Sequence, residues 1–208
     1  VIGTNKNKSP PSRTRVLDDA ELAAVWRAAG DNEFGSIVRL LILTGQRRSE
    51  VGGMAWPELK EDRTWAIPAE RTKNGHEHVL PLPALTWSII ETVPRMVSRD
   101  WLFGRRAGGF TSWTLGKRVL DGRLDDEVKP WTMHDLRRST ATGMAKLGVQ
   151  PHVIECVLNH WGGFRAGVSS VYNRNPYAAE MRQALDLWAN HVATIVEGGE
   201  SKVVNIRA

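Results

Sequence analysis

Apolar positions recur along this chain at helical spacing for most of its length and at alternating spacing only briefly. Leu22, Val25, Trp26 and Ala29 follow Asp18 at helical intervals, Asp18 and Glu21 have capping-box spacing, and Gly30 supplies a stop. Residues 34–43 are apolar enough and long enough for a second helix, broken at Thr44-Gly45, with a short helix predicted over 49–54. Residues 64–67 and 76–80 carry the main strand signal and flank a turn containing Asn74-Gly75, a pair suited to a hairpin because both residues tolerate positive φ. Pro81 and Pro83 close that region. Helices are predicted over 85–93, 114–120, 134–147 (closed by Gly148), 151–158 (with Pro151 in its first turn) and 177–196, with a glycine-containing loop over 99–110. The last helix places Met181, Leu185, Trp188 and Val192 on one face. The expected class is mainly α with a small antiparallel β-sheet, an α+β fold.

Composition narrows the partners. The chain has no apolar window long enough for a membrane span and no apolar signal-peptide core at its start. Cys156 is its only cysteine, which rules out an internal disulfide and fits a reducing cytoplasm. Of the net charge of +5, four units come from Lys6, Lys8, Arg13 and Arg15, with no acid among the first fifteen residues. Residues 1–15 therefore read as a basic linker, either simply solvated or lying on a nucleic-acid backbone. Residues 16–196 read as the folded body and 197–208 as a tail. The chain starts at Val1 without methionine and is read as a piece of a longer protein.

The candidate chemistry is a dispersed set of polar residues. Arg47, after the Thr44-Gly45 break, can be held by the preceding helix and grip two phosphate oxygens; the bland alternative is a surface arginine beside Arg48. Glu50, three residues on, either orients Arg47 or forms an ordinary surface ion pair with it. Lys73 is either a solvated turn lysine or a general acid next to a phosphate. His134 and Arg137 share one face of a helix N-terminus, where free N–H groups and the helix dipole favour an anion, while Arg138 is expected in solvent. His160 is either a helix-terminal histidine or a donor to a phosphate oxygen. Tyr172 is the candidate nucleophile: Tyr177 opens the last helix and is expected to pack, and a phenol needs nearby cations or a base to attack. His76 and His78 are expected on the strand surface, Trp26 and Trp188 in the core, and Trp161 near substrate. No carboxylate cluster or Cys/His array has metal-site spacing, so neither metal nor cofactor is expected.

In this order, Arg47, Lys73, His134, Arg137, His160 and Tyr172 resemble the catalytic residues of tyrosine recombinases, the phage integrase family, most of all the integrases of satellite phages and genomic islands. The segments Leu158-Asn159-His160 and Val171-Tyr172-Asn173-Arg174 carry the likeness, with one departure: Asn159 stands where many members have glycine, and Gly162-Gly163 lengthens the interval to the tyrosine.

The resemblance implies the tyrosine recombinase catalytic-domain fold and metal-independent cleavage and rejoining of DNA through a 3′-phosphotyrosyl intermediate. Arg47, Arg137 and His160 would hold the phosphate, His134 would take the tyrosine proton, and Lys73 would protonate the leaving oxygen. It further implies double-stranded attachment-site DNA as partner, a homo-tetramer on paired sites with the isolated piece a monomer, and a bacterial or phage-encoded protein in the cytoplasm. The 197–208 tail would be a candidate for exchange between protomers. A type IB topoisomerase-like enzyme and an inactive DNA-binding regulator are the rival readings.

Overall fold

The structure, a computed structural model, describes residues 14–97, 99–105, 108–126, 128–160 and 177–198. Its elements are α1 (Asp19–Ala28), α2 (Glu33–Thr44), α3 (Arg48–Gly52), β1 (Thr64–Ile67), β2 (His78–Pro81), α4 (Ala84–Glu91), α5 (Trp113–Asp121), α6 (Met133–Lys146), α7 (Pro151–Val157) and α8 (Ala178–Val196). The chain is mostly helical, with one two-stranded antiparallel sheet among the described residues. No helix among them is long and apolar enough to cross a membrane.

Helix α2 is apolar except along one edge that carries Glu33, Ser36 and Arg39, and so wide an apolar face is stable only when enclosed. It packs against α1, α3, α4, α6 and α8, with Ile37, Val38 and Leu40 to Leu43 all buried. The Asn32 side chain accepts from the Gly35 N–H at its start, and Gly45 ends it in the left-handed region, with φ 63°. The predicted stripe on α8 is also enclosed: Met181, Leu185, Trp188 and Val192 are all buried. The Trp188 indole N–H and the Thr140 hydroxyl both donate to the Ile42 carbonyl, each at 2.8 Å. Side chains from α8 and α6 thus fix the last turn of α2, where the chain leaves toward Arg47. Gly143 permits this packing, since a Cβ there would come within 2.2 Å of the Trp188 ring. Trp26 is only half-buried, with the Arg39 guanidinium 5.5 Å from its ring centroid.

The sheet departs from the expected hairpin. Its register pairs Thr64 with Pro81 and Ile67 with His78, so β2 begins at His78 and residues 68–77 form a longer connection containing a 3-10 turn, Ala69–Arg71. Gly75 has φ 71° but Asn74 does not share the positive φ that a two-residue turn of this type requires. His78 is not a surface residue either. It is buried, with Nε2 3.1 Å from the Val157 carbonyl, because β2 lies against α8 and the end of α7.

Candidate active site

Three segments carry Arg47, His134, Arg137 and His160: the exit of α2, the start of α6 and the exit of α7. Arg47 is the N-cap of α3. Its backbone N–H donates to Glu50 Oε2 at 2.9 Å and its guanidinium donates to Oε1 at 2.8 Å. Glu50 is 1% exposed, so this is not a surface ion pair; a desolvated carboxylate holds both ends of Arg47. Beneath it, Arg71 donates to the Glu50 carbonyl at 2.6 Å and pairs with Glu58, which also accepts from the Trp65 indole at 2.9 Å. The connection after β1 is thereby tied to α3.

Arg137 lies inside the protein, 4% exposed. One guanidinium nitrogen donates to the Gly45 carbonyl at 2.7 Å and the other to the Leu158 carbonyl. The side chain therefore spans the exits of α2 and α7. His134, three residues earlier, is exposed. Between them Asp135 is fully buried, accepting from the Thr132 N–H and hydroxyl, each at 2.8 Å, and pairing with Arg138. Arg138 is half-buried in that pair rather than free in solvent, and its charge reaches His134.

The exit of α7 joins the other segments. The Val157 carbonyl accepts from Gln46 Nε2 at 2.8 Å as well as facing His78; the Leu158 carbonyl takes Arg137; the Asn159 carbonyl takes Asn74 Nδ2 at 3.2 Å. Carbonyls that a helix leaves unpaired at its C-terminus are thus matched by side chains from three other parts of the chain. His160 follows, exposed, with Nδ1 3.0 Å from Glu155 Oε2 and its backbone N–H donating to the Glu155 carbonyl at 2.9 Å. Cys156 is buried on the inner side of the same helix.

The charges crowd one another. Burial, and after it the charge of Arg47, pushes Arg137 down to about 10, so it stays protonated at neutral pH but in an unfavourable field. Partial burial of the ring, despite the residue's overall exposure, and then the charges of Arg138 and Arg137 hold His134 below the ordinary imidazole value. Burial and Arg137 do the same to His160, against the opposing pull of Glu155. An oxyanion placed among these groups would offset the like-charge part of all three, and a neutral His134 can accept a proton.

Lys73 is exposed on the connection before β2, beside Asn74. Tyr172 and Trp161 lie outside the described residues, as do the first thirteen residues and those from 199 on. Tyr177 packs its ring on His152, with centroids 5.3 Å apart, as expected for a structural tyrosine. Sequence reasoning did not find Gln46, Asn74 or Glu155. Their partners are set by the fold, and no local motif marks them.

Residues 17–164 match the phage integrase family. The prophage integrase IntA of Escherichia coli strain K12 is 28% identical over 162 residues, 76% of this chain and 38% of that protein. The prophage integrase IntZ of the same strain is 25% identical over 204 residues, 90% of this chain and 47% of that protein. The chain spans less than half the length of these two relatives. In fold it is similar to the integrase from mycobacterium phage Brujita, with TM-score 0.68 and 17% identity over 90% of this chain and 65% of that one. It is also similar to the catalytic core of lambda integrase, with TM-score 0.55 and 19% identity over 71% of this chain and 96% of that one. With the matched span covering α1 to α7 and including both Arg47 and Arg137, the chain belongs to the phage integrase family and has the tyrosine recombinase catalytic-domain fold.

Proposed function

We propose that this chain is the catalytic part of a site-specific DNA recombinase that cuts and rejoins strands through a 3′-phosphotyrosyl link. The observation that carries the reading is the fixing of two arginines on either side of Gly45: Arg137 is buried and bound to the Gly45 and Leu158 carbonyls, and Arg47, two residues after Gly45, is held at both ends by the buried Glu50. Placing like charges together has a cost that a bound phosphodiester would offset. Arg47 and Arg137 take the non-bridging oxygens. His134, neutral in this field, takes the proton of Tyr172 as its oxygen attacks phosphorus. Lys73 protonates the departing 5′ oxygen. A 5′ hydroxyl from the partner duplex then attacks the phosphotyrosine, releases Tyr172 and restores the phosphodiester, so the energy of the bond is conserved without ATP.

His160 adds a proton requirement. If Nδ1–H is directed at Glu155, the neutral ring presents a lone pair at Nε2, and it can donate to a phosphate only as imidazolium. The arriving phosphate favours that form, and Glu155 supplies the counter-charge. The solved Tn1549 transposon integrase is in complex with transposon right-end DNA, and by analogy attachment-site duplexes are the partner proposed here. Assembly as a tetramer on paired sites, action in the bacterial cytoplasm, a basic linker over 1–15 and exchange of the 197–208 tail belong to the same proposal.

The test is a nicked duplex carrying the junction sequence of the mobile element, on which cleavage releases a short fragment and traps the protein. A covalent protein–DNA adduct is expected with the unaltered chain and none with Tyr172→Phe, which should still bind DNA. An adduct that persists in Tyr172→Phe and disappears in Tyr177→Phe would overturn the assignment of the nucleophile. Exchange of strands between two duplexes separates a recombinase from a relaxing enzyme that reseals the original strand.

A further inference from the structure

We propose that Asn74 and Asn159 form a latch that positions Lys73 relative to His160; the inference rests on the recombinase reading above. Lysine carries its charge on a flexible four-carbon stem, so its ammonium is directed only as well as the backbone beneath it is fixed. The segment around Lys73 is closed mainly on itself. The Gly75 N–H donates to the Thr72 carbonyl at 3.4 Å, the His76 N–H donates to Asn74 Oδ1 at 3.3 Å, and the Thr72 hydroxyl lies 2.8 Å from the His76 carbonyl. None of these contacts relates the segment to the phosphate clamp.

Asn74 does. Its Nδ2 donates to two oxygens of Asn159, the carbonyl at 3.2 Å and Oδ1 at 3.0 Å. With Oδ1 engaged by His76, every polar atom of the Asn74 side chain has a partner and its orientation is determined. Asn159 is 2% exposed, and a hydrogen bond shielded from water holds more firmly than one at the surface.

Asn159 also has φ 51°, in the left-handed region that asparagine enters more readily than other residues bearing a side chain. Glycine would make that turn with less strain but would bring no Oδ1. Asparagine makes the turn and supplies the second acceptor. The residue that swings the chain from α7 into His160 therefore also holds the segment bearing Lys73. Asn74 and Asn159 act as positioning residues: neither meets the reacting atoms.

The test compares single-turnover cleavage of an ordinary duplex with that of one carrying sulfur at the 5′-bridging position, whose thiolate leaves without a proton. Asn74→Ala should slow the ordinary substrate by about 10- to 100-fold, the scale of a misplaced reacting group. The sulfur substrate should restore most of that loss. Asn159→Gly, which keeps the backbone turn and the carbonyl, should show a smaller defect with the same rescue. Adding Asn74→Ala to Lys73→Ala should cost little more than Lys73→Ala alone.

Equal slowing of Asn74→Ala on both substrates, or no slowing on either, would overturn the latch. If Lys73→Ala shows rescue and Asn74→Ala does not, the latch alone fails. If Lys73→Ala itself shows none, the general-acid role beneath the inference fails. Amide hydrogen exchange without DNA gives a second reading. Exchange over residues 72–77 should accelerate in Asn74→Ala and Asn159→Gly but not in Lys73→Ala, and unchanged exchange in the asparagine variants overturns the latch whatever the cleavage rates.

Discussion

Arg137 and Lys73 are two cations assigned to one phosphate, and the protein treats them in opposite ways. Arg137 is enclosed between the ends of α2 and α7 with its guanidinium committed to two backbone carbonyls. Lys73 is exposed on a connection between strands, with Arg71 bound to α3 on one side of it and Asn74 bound to Asn159 on the other. The contrast fits the two tasks. A group that stabilises charge throughout a reaction gains from being fixed beforehand, because no reorganisation is then needed. A group that delivers a proton to one departing atom has to approach when the substrate is present and withdraw when strands change places.

The sharpest way to break this contrast is to remove Arg137. Arg137→Ala leaves the Gly45 and Leu158 carbonyls without that partner, at about 1–3 kcal/mol for each buried group left unsatisfied, so the variant should lose several degrees of melting temperature together with adduct formation. Arg137→Lys keeps the charge but has a single ammonium for two carbonyls, and should lose part of the stability and most of the cleavage. A variant of Arg137 that is inactive yet fully stable would show that the buried bridge is not structural.

Lys73→Ala is the converse. Cleavage should fall by roughly 100- to 10,000-fold while the unfolding free energy from urea titration stays within about 0.5 kcal/mol of the unaltered chain. A comparable loss of stability would abolish the distinction drawn here. If, as proposed, Arg47, Arg137 and Lys73 meet the charge of the phosphate, cleavage should also persist in excess chelator, and magnesium-reversible loss of the chemical step would count against the assignment.

Gly45 offers a finer probe of the fixed side alone. It has φ 63°, and a Cβ there would lie 3.0 Å from Leu158 Cδ2 and 3.1 Å from Thr140 Cγ2. Gly45→Ala should destabilise by about 1–2 kcal/mol for the left-handed conformation, with DNA cleavage reduced through displacement of the carbonyl that holds Arg137.

The smallest effect concerns pH. His134 and His160 both have folded-state values below the ordinary 6.5, so near that pH the unfolded chain binds more protons than the folded one. Their contribution to stability is complete above about pH 6.5 and is lost as pH falls toward the folded values. Urea midpoints measured between about pH 7.5 and about pH 5.5 should decline, and replacing both histidines with glutamine should flatten the decline.

These differences were unevenly legible in the sequence. The helices were, because α1, α2 and α8 announce themselves by apolar spacing, with Asp18 at the start of α1 and Gly45 at the end of α2. The pairing of Arg47 with Glu50 was partly legible, since an i,i+3 spacing predicts contact; that Glu50 would be buried was not. The hairpin was misread because Asn74-Gly75 has the composition of a tight turn, while β2 starts only at His78 and Asn74 is engaged with Asn159 rather than in a two-residue turn. His78 was misread because alternation assigns one face of a strand to solvent, and β2 instead lies against α8 and the end of α7. The partners of Gln46 and Arg137 are carbonyls distant in sequence and leave no trace in composition.

The buried thiol of Cys156 gives the clamp a chemical gauge. The chain has a single cysteine, and it sits on the helix whose last carbonyls receive Gln46, His78, Arg137 and Asn74. A shielded thiol is alkylated only when its surroundings open, so the rate of labelling measures how often that helix comes away from its partners. Labelling with and without a DNA duplex would then time the opening of the site directly, with no engineered probe and no turnover.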